Sequence, residues 1–281
     1  MKKFIVIAAL ASSAASYAAS DIYDVMYLPA ARTVYGLSTL GAVSGEFIDE
    51  SSEGDTSGYQ FSQTVGYSLR DNLSLSLDLN YLKGEDEEDD GVKRGSKGLS
   101  DPSLNARYRF KDGDYRLDFL GGVRLSVADA KIDVSSGNNA EATNASGRNG
   151  LSVGTQFGKK SDEFQWAVLG LVTRNFEGEV ELSGTQDLSS SNDLLLRTEL
   201  LKPVSEKSFL RPFLSAEFKG KIEGDNEFMA ASTLYKVGGE YQYLRSQNVL
   251  LKAGIDYSTV NQSSFKDYAF WTMNIGANYQ F

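Results

Sequence analysis

The most constraining feature of the chain is a strict alternation over its last eleven residues. Every second residue from Trp271 to Phe281 is apolar, and the residues between them are polar or glycine. Because successive side chains of a β-strand point to opposite faces, this segment predicts a strand with one apolar face and one polar face. Such a strand fits either a membrane barrel or the last strand of a soluble sandwich, so the segment alone leaves both classes open.

The same alternation recurs along the chain and is clearest at residues 72–83, where leucines and a tyrosine alternate with polar side chains. A helix would spread those leucines around its circumference, so the pattern predicts a strand. Clusters of Gly, Asp, Asn and Ser divide residues 33–281 into twelve such segments, with Gln63 as a polar exception on an apolar face and weak alternation at 164–174.

The connections between these segments alternate between short turns and longer polar stretches. The short turns fall near Asp71, Asp112, Ser161, Ser205 and Ser246. A soluble sandwich has no reason to sort its loops by end, whereas bacterial membrane barrels do. The sequence therefore predicts an all-β fold: a transmembrane antiparallel up-and-down β-barrel of about twelve strands, with short periplasmic turns and long extracellular loops.

The first residues predict export. Lys2 and Lys3 precede an apolar run and then small residues up to Ala18, which is typical of a cleaved signal peptide over 1–18. Residues 19–32 show no clear period and are interpreted as a periplasmic lead-in. One place for this lead-in is inside the mouth of the barrel. The barrel itself is expected to span residues 33–281. No other stretch approaches eighteen apolar residues, which argues against a helical membrane protein and favours the cell outer membrane.

The amino-acid composition argues against several classes of function. The chain has no histidine, and acid–base and nucleophilic catalysis near neutral pH usually depend on imidazole, so we expect no enzymatic activity. It has no cysteine, which excludes small disulfide-stapled folds. The net charge of −10 argues against nucleic acid as a partner. The acidic run at 85–90 lacks the spacing of a calcium loop, and we expect neither a metal nor another cofactor.

The polar faces carry charges that pair by register if each short turn closes a simple hairpin. The predicted pairs are Arg107 with Asp118, Glu199 with Arg211, Glu240 with Lys252, and Lys236 with Asp256. Such cross-strand pairs contribute at most about 1 kcal/mol each. They could hold a narrow interior together or line a polar path for solutes, and we favour the structural role because paired charges bind solutes poorly.

Three further arginines, Arg109, Arg116 and Arg124, show no obvious carboxylate partner in this register. They are therefore the best candidates for a pore constriction or a contact with an anionic solute. The alternative is that carboxylates of the loops fold inward to meet them.

Two segments resemble known families. Tyr279 and Phe281 resemble the closing strand of bacterial outer-membrane barrels, in which the terminal aromatic pair is an assembly signal for the barrel assembly machinery. The segment 98–126, with Gly98-Leu99, Asp101-Pro102 and Gly121-Gly122, resembles the outer-membrane family of the MetA pathway of phenol degradation, also called transporter-like outer-membrane proteins. That resemblance implies passage of small, hydrophobic compounds across the outer membrane.

The preferred hypothesis is a narrow channel for small solutes, either hydrophobic or anionic. Its expected partners are outer-membrane lipid and lipopolysaccharide, the barrel assembly machinery and the solute, and the sequence carries no signal for an oligomeric state. One alternative is a non-conducting structural or adhesive barrel whose extracellular loops bind partners. Another is a soluble secreted β-protein.

Overall fold

A computed structural model describes most of the chain outside its first residues. The described residues are 22–49, 53–88, 93–127, 130–134, 140–161, 163–181, 185–223, 227–229, 231–262 and 265–281. The predicted signal peptide, 1–18, lies outside them. Among the described residues we find no helix with the length and apolarity that a membrane crossing requires.

All regular structure in the described residues is β-strand. In chain order the strands are β1 (Val34–Asp49), β2 (Glu53–Arg70), β3 (Leu73–Glu88), β4 (Lys93–Leu99), β5 (Ser103–Lys111), β6 (Tyr115–Arg124), β7 (Ile132–Val134), β8 (Ala140–Thr143), β9 (Arg148–Lys160), β10 (Gln165–Glu181), β11 (Thr185–Leu188), β12 (Ser191–Ser205), β13 (Ser208–Lys219), β14 (Ile222–Glu223), β15 (Glu227–Met229), β16 (Ser232–Ser246), β17 (Val249–Gln262) and β18 (Phe265–Gln280).

Twelve wall positions close into a barrel, in which β4 and β5 share one position because both pair with β3. Neighbouring wall strands run antiparallel, and β1 pairs with β18 to complete the ring. The short strands β7, β8, β11, β14 and β15 lie in the long connections. The predicted transmembrane up-and-down barrel of about twelve strands is therefore confirmed. We call its two ends the short-turn end and the long-loop end.

The alternation of the sequence becomes an apolar outside and a polar inside. On β3, Leu75 is 45% exposed whereas Ser74 is 3% exposed. On β18, Trp271, Met273 and Ile275 are all exposed, as the closing segment predicted. A closed ladder leaves no free strand edge, so the backbone is satisfied while the apolar side chains face outward, which is the arrangement that a bilayer requires.

The β3–β4 hairpin extends further toward the long-loop end than the sequence predicted. The third strand was expected to end near residue 83, but β3 continues to Glu88 and β4 begins at Lys93. Lys93 Nζ lies 3.1 Å from Glu85 Oε1 and 2.8 Å from Glu87 Oε2. This part of the hairpin is charged and lacks the apolar alternation by which strands were recognised. The stretch that looked like a loop is therefore largely a polar extension of the hairpin.

Gln63, the polar exception noted in the sequence of β2, is satisfied by neighbouring strands. Gln63 lies between the exposed Phe61 and Val65 on β2. Its Nε2 donates to the Tyr279 hydroxyl at 2.7 Å, and its Oε1 accepts from the Ser38 hydroxyl at 2.6 Å. Because an unpaired amide facing lipid is costly, this trio explains how an amide is tolerated there. The role of Tyr279 and Phe281 as an assembly signal stays a prediction.

Candidate functional site: the barrel interior

A cavity of about 580 Å³ occupies the barrel interior. Its lining includes charged side chains from opposite parts of the wall, among them Asp78, Arg107, Glu199 and Lys252, and it also includes Tyr27 from the N-terminal segment. A volume of this size falls in the range of small-molecule sites. The interior of this barrel is therefore neither filled completely by side chains nor a wide aqueous pore.

The four predicted ion pairs are all present on the inner face. Their closest approaches are Arg107 Nη2 to Asp118 Oδ2 at 2.5 Å, Arg211 Nη2 to Glu199 Oε2 at 2.8 Å, Lys236 Nζ to Asp256 Oδ1 at 3.3 Å and Lys252 Nζ to Glu240 Oε2 at 3.9 Å. Gln156, which sequence reasoning missed, accepts from Arg107 at 2.7 Å and donates to Glu199 at 3.3 Å. The amide thereby links two of the pairs along the wall.

The predicted register of these pairs is wrong by two residues. Arg107 lies opposite Leu120 rather than Asp118, and Glu199 lies opposite Phe213. The β12–β13 hairpin turns at Glu206-Lys207, later than assumed, and a bulge at Pro203/Ser205 then changes the register by one residue. Because the total offset is even, inward residues still face inward residues, and the charges meet diagonally.

The expectation that Arg109 and Arg116 lack carboxylate partners is also wrong. Arg109 Nε lies 2.9 Å from Asp118 Oδ1, and Arg116 Nη1 lies 3.1 Å from Asp24 Oδ2. Asp24 belongs to a segment without strand periodicity, so an argument from strand register could not place it. Arg124 differs, because its Nη2 donates to Asn175 Oδ1 at 2.7 Å and it has no carboxylate partner among the described residues. A pore-lining role for these residues stays a prediction.

Residues 22–32, which we call the N-terminal segment, lie inside the short-turn end of the barrel. Asp24 is its polar anchor and is only 3% exposed. The Asp24 carboxylate accepts from Gln165 Nε2 at 2.8 Å and from Lys160 Nζ at 2.9 Å, in addition to the Arg116 contact. Three donors from two adjacent hairpins therefore hold one buried carboxylate.

The N-terminal segment also buries an apolar side. Val25 and Met26 pack with Ala167, Leu201 and Phe209 of the inner wall, and the Tyr23 ring stacks on Phe209 at a centroid distance of 4.0 Å. Sequence reasoning gave the barrel mouth as one place for this segment, but it identified none of the wall residues that receive it. Their only signal is that apolar residues come in adjacent pairs, such as Leu200-Leu201 and Leu250-Leu251, near the short-turn ends of the strands. One member of each pair faces inward: Leu201 and Leu250 are fully buried, whereas Leu200 and Leu251 are exposed.

The N-terminal segment crosses the mouth of the barrel. Gln165 of β10 holds it on one side through Asp24, while Gln280 of β18 donates to the Tyr27 hydroxyl on the other side. The Ala31 amide donates to Asp71 Oδ1 at 2.8 Å in the β2–β3 turn. Burial, the larger cause, and the nearby Tyr35 raise the pKa of the Tyr27 phenol, so this contact is between neutral groups. Since β10 and β18 lie across the ring from each other, the segment spans the short-turn mouth.

Comparison with known proteins shows the fold. No family model and no curated protein matches this sequence. Among solved structures, an outer-membrane channel from Pseudomonas putida F1 matches with a TM-score of 0.69 at 13% identity, covering 94% of this chain and 100% of that chain. The translocator domain of the autotransporter NalP from Neisseria meningitidis matches with a TM-score of 0.58 at 13% identity, covering 100% and 95%.

A third similar structure is the transport unit of the autotransporter AIDA-I from Escherichia coli, with a TM-score of 0.52 at 11% identity, covering 99% of this chain and 97% of that chain. Channels and autotransporter translocators are thus both represented among proteins with this architecture. At these identities the likeness defines an outer-membrane β-barrel fold, and the function has to be argued from the interior.

Proposed function

We propose that this chain is an outer-membrane channel for small polar or anionic solutes, closed at its periplasmic mouth by its own N-terminal segment. The observation that carries the proposal is the cavity of about 580 Å³, lined by charged side chains and bounded by that segment. In barrels of this type the short turns face the periplasm, so the short-turn end is periplasmic and the long-loop end is extracellular.

The charge distribution inside the barrel favours solutes that carry charge or hydrogen-bonding groups. The paired charges keep the wall rigid and leave a polar surface toward the cavity. The likeness to an outer-membrane channel from Pseudomonas putida F1 and the resemblance of residues 98–126 to transporter-like outer-membrane proteins support the same class of function. The absence of histidine favours transport over catalysis.

Closure by the N-terminal segment is expected to be reversible. The segment is held by hydrogen bonds, the Asp24 ion pairs and a small apolar cluster. When the segment leaves, water or solute can replace it in these contacts. The alternative function is a non-conducting barrel that presents its extracellular loops to partners. The observation that favours it is the same segment, since a mouth that never opens would make the interior purely structural.

Conductance separates these two functions. The wild-type protein and a variant lacking residues 22–31 are reconstituted in planar bilayers, after heat-modifiable mobility on gels verifies that both barrels have folded. We expect rare, short openings for the wild type and a sustained conductance for the deletion. Absence of conductance in the folded deletion variant would contradict the channel and favour the non-conducting barrel.

A further inference from the structure

A second cavity, of about 350 Å³, lies at the long-loop end. Its apolar side is a cluster of buried residues that come from several long connections and strand ends. The members of the cluster are Ala130, Val180, Leu188 and Ile222, with Ala145 packed against them. The rest of the lining is polar and includes Arg124, Arg148 and Asn175. The loops of this end therefore form a small packed pocket with an apolar side and a basic side.

The two arginines have hydrogen bonds but no carboxylate at ion-pair distance among the described residues, although the charge of Asp193 acts on Arg148. Arg148 is 6% exposed, and its Nη1 donates to the Ser189 carbonyl and the Ser191 hydroxyl, both at 3.1 Å. Within the described part of the chain, the Arg124 side chain donates to Asn175 alone. The Nε of each guanidinium is buried and meets no acceptor in the described protein. Two buried cations thus retain unused donors.

The other charges around this cavity largely neutralise one another. Its lysines lie beside glutamates, Lys131 Nζ to Glu181 Oε2 at 2.7 Å and Lys219 Nζ to Glu217 Oε1 at 3.7 Å. The remaining carboxylate, Asp193, accepts from Asn175 Nδ2 at 2.8 Å and from the Gly220 amide at 3.0 Å. Two arginines and one carboxylate therefore remain at the cavity, and that carboxylate is hydrogen-bonded to amide donors.

We propose that this cavity binds a small organic anion, with its carboxylate on Arg124 and Arg148 and its hydrocarbon part on the apolar cluster. Guanidinium groups bind carboxylates through paired, charge-assisted hydrogen bonds. The like charges of the two arginines interact, and a bound anion relieves that repulsion. The inference names a solute class for the proposed channel. Transport of that anion rests on the proposed function, whereas binding of the anion to this cavity does not.

The binding test uses hexanoate, hexanamide and inorganic phosphate, titrated calorimetrically into the full-length protein in detergent. We expect saturable binding of hexanoate and at least about tenfold weaker binding of hexanamide, because the amide lacks the charge that strengthens each hydrogen bond. Phosphate is expected to bind more weakly than hexanoate because it makes no use of the apolar cluster. Equal affinity for phosphate, or for hexanamide, would overturn the proposal.

Two variants and one matched control locate the site. Arg148→Gln and Arg124→Gln should each weaken hexanoate binding by about tenfold or more. Arg174→Gln is the control. Arg174 is exposed and directly precedes the inward Asn175 on β10, so its side chain lies on the opposite face of the strand. If Arg148→Gln fails to fold, Arg124→Gln carries the test, since the described residues give the Arg124 side chain one hydrogen bond to lose. Wild-type affinity in a folded Arg124→Gln protein overturns the site.

Failure of this inference and failure of the proposed function are distinguishable. A protein that conducts but does not bind hexanoate contradicts the anion site and leaves the channel standing. A protein that binds hexanoate with the expected variant effects, yet never conducts, supports the anion site and contradicts the channel.

Discussion

Replacing Asp24 with asparagine should release the N-terminal segment from the periplasmic mouth. The change keeps the size of the side chain and an oxygen that can accept from Gln165, but it removes the charge that Arg116 and Lys160 contact at 3.1 and 2.9 Å. Charge-assisted hydrogen bonds contribute about 1.5–3 kcal/mol each. Arg116 keeps Asp112 and Lys160 is partly exposed, so the lower value applies to both.

The docked state of the segment should therefore lose about 3 kcal/mol, which corresponds to about a hundredfold change in the closed-to-open ratio. Single-channel recording in planar bilayers measures this as an increase in open probability. Asp114→Asn is the matched control, because it removes the same charge from an exposed turn at the same end of the barrel. Equal open probabilities for Asp24→Asn, Asp114→Asn and the wild type would refute the reasoning that Asp24 holds the mouth closed.

Three further changes test separate parts of the structure. Gln63→Leu should lower the free energy of unfolding by about 1 kcal/mol, measured by urea titration in vesicles, because the Tyr279 hydroxyl loses its partner; a neutral result would make that trio incidental. Glu199→Gln should shift the reversal potential in a KCl gradient toward anion selectivity, and an unchanged potential would place Glu199 off the ion path. Leu201→Ala should cost about 3 kcal/mol and lower the melting temperature, since this side chain is fully buried; the exposed Leu200→Ala is its control, and equal effects would contradict the docking site.

The wall of the barrel could be predicted from sequence because each crossing repeats one simple pattern. At Leu73–Leu79 and at Trp271–Phe281 the membrane imposes an apolar side chain at every second position, and that pattern survives in the sequence. The pattern disappears where a strand leaves the apolar band, and this is why the polar ends of β3 and β4 looked like a loop.

For the interior, the sequence predicted which residues of each strand face inward but not which residues lie directly opposite one another. The partners of Glu199 and Lys252 were identified because an even register error preserves the inward face, although the positions directly opposite them were wrong. Asp24 could not be assigned as the partner of Arg116, because the N-terminal segment has no strand period and reaches Arg116 across the lumen. Arg148 was missed for a related reason: it directly follows Gly147, whose positive φ of 65° turns the chain into β9, and no alternation marks it.

Cross-linking the N-terminal segment to the inner wall tests the account most directly. The chain has no cysteine, so a Val25→Cys, Ala167→Cys protein carries a single thiol pair at a contact of the docked segment. We predict that oxidation, or a short thiol cross-linker, holds single channels at the closed level and that reduction of the disulfide restores openings. Identical conductance in the cross-linked and reduced proteins, with cross-linking verified by gel mobility, would contradict closure by the segment.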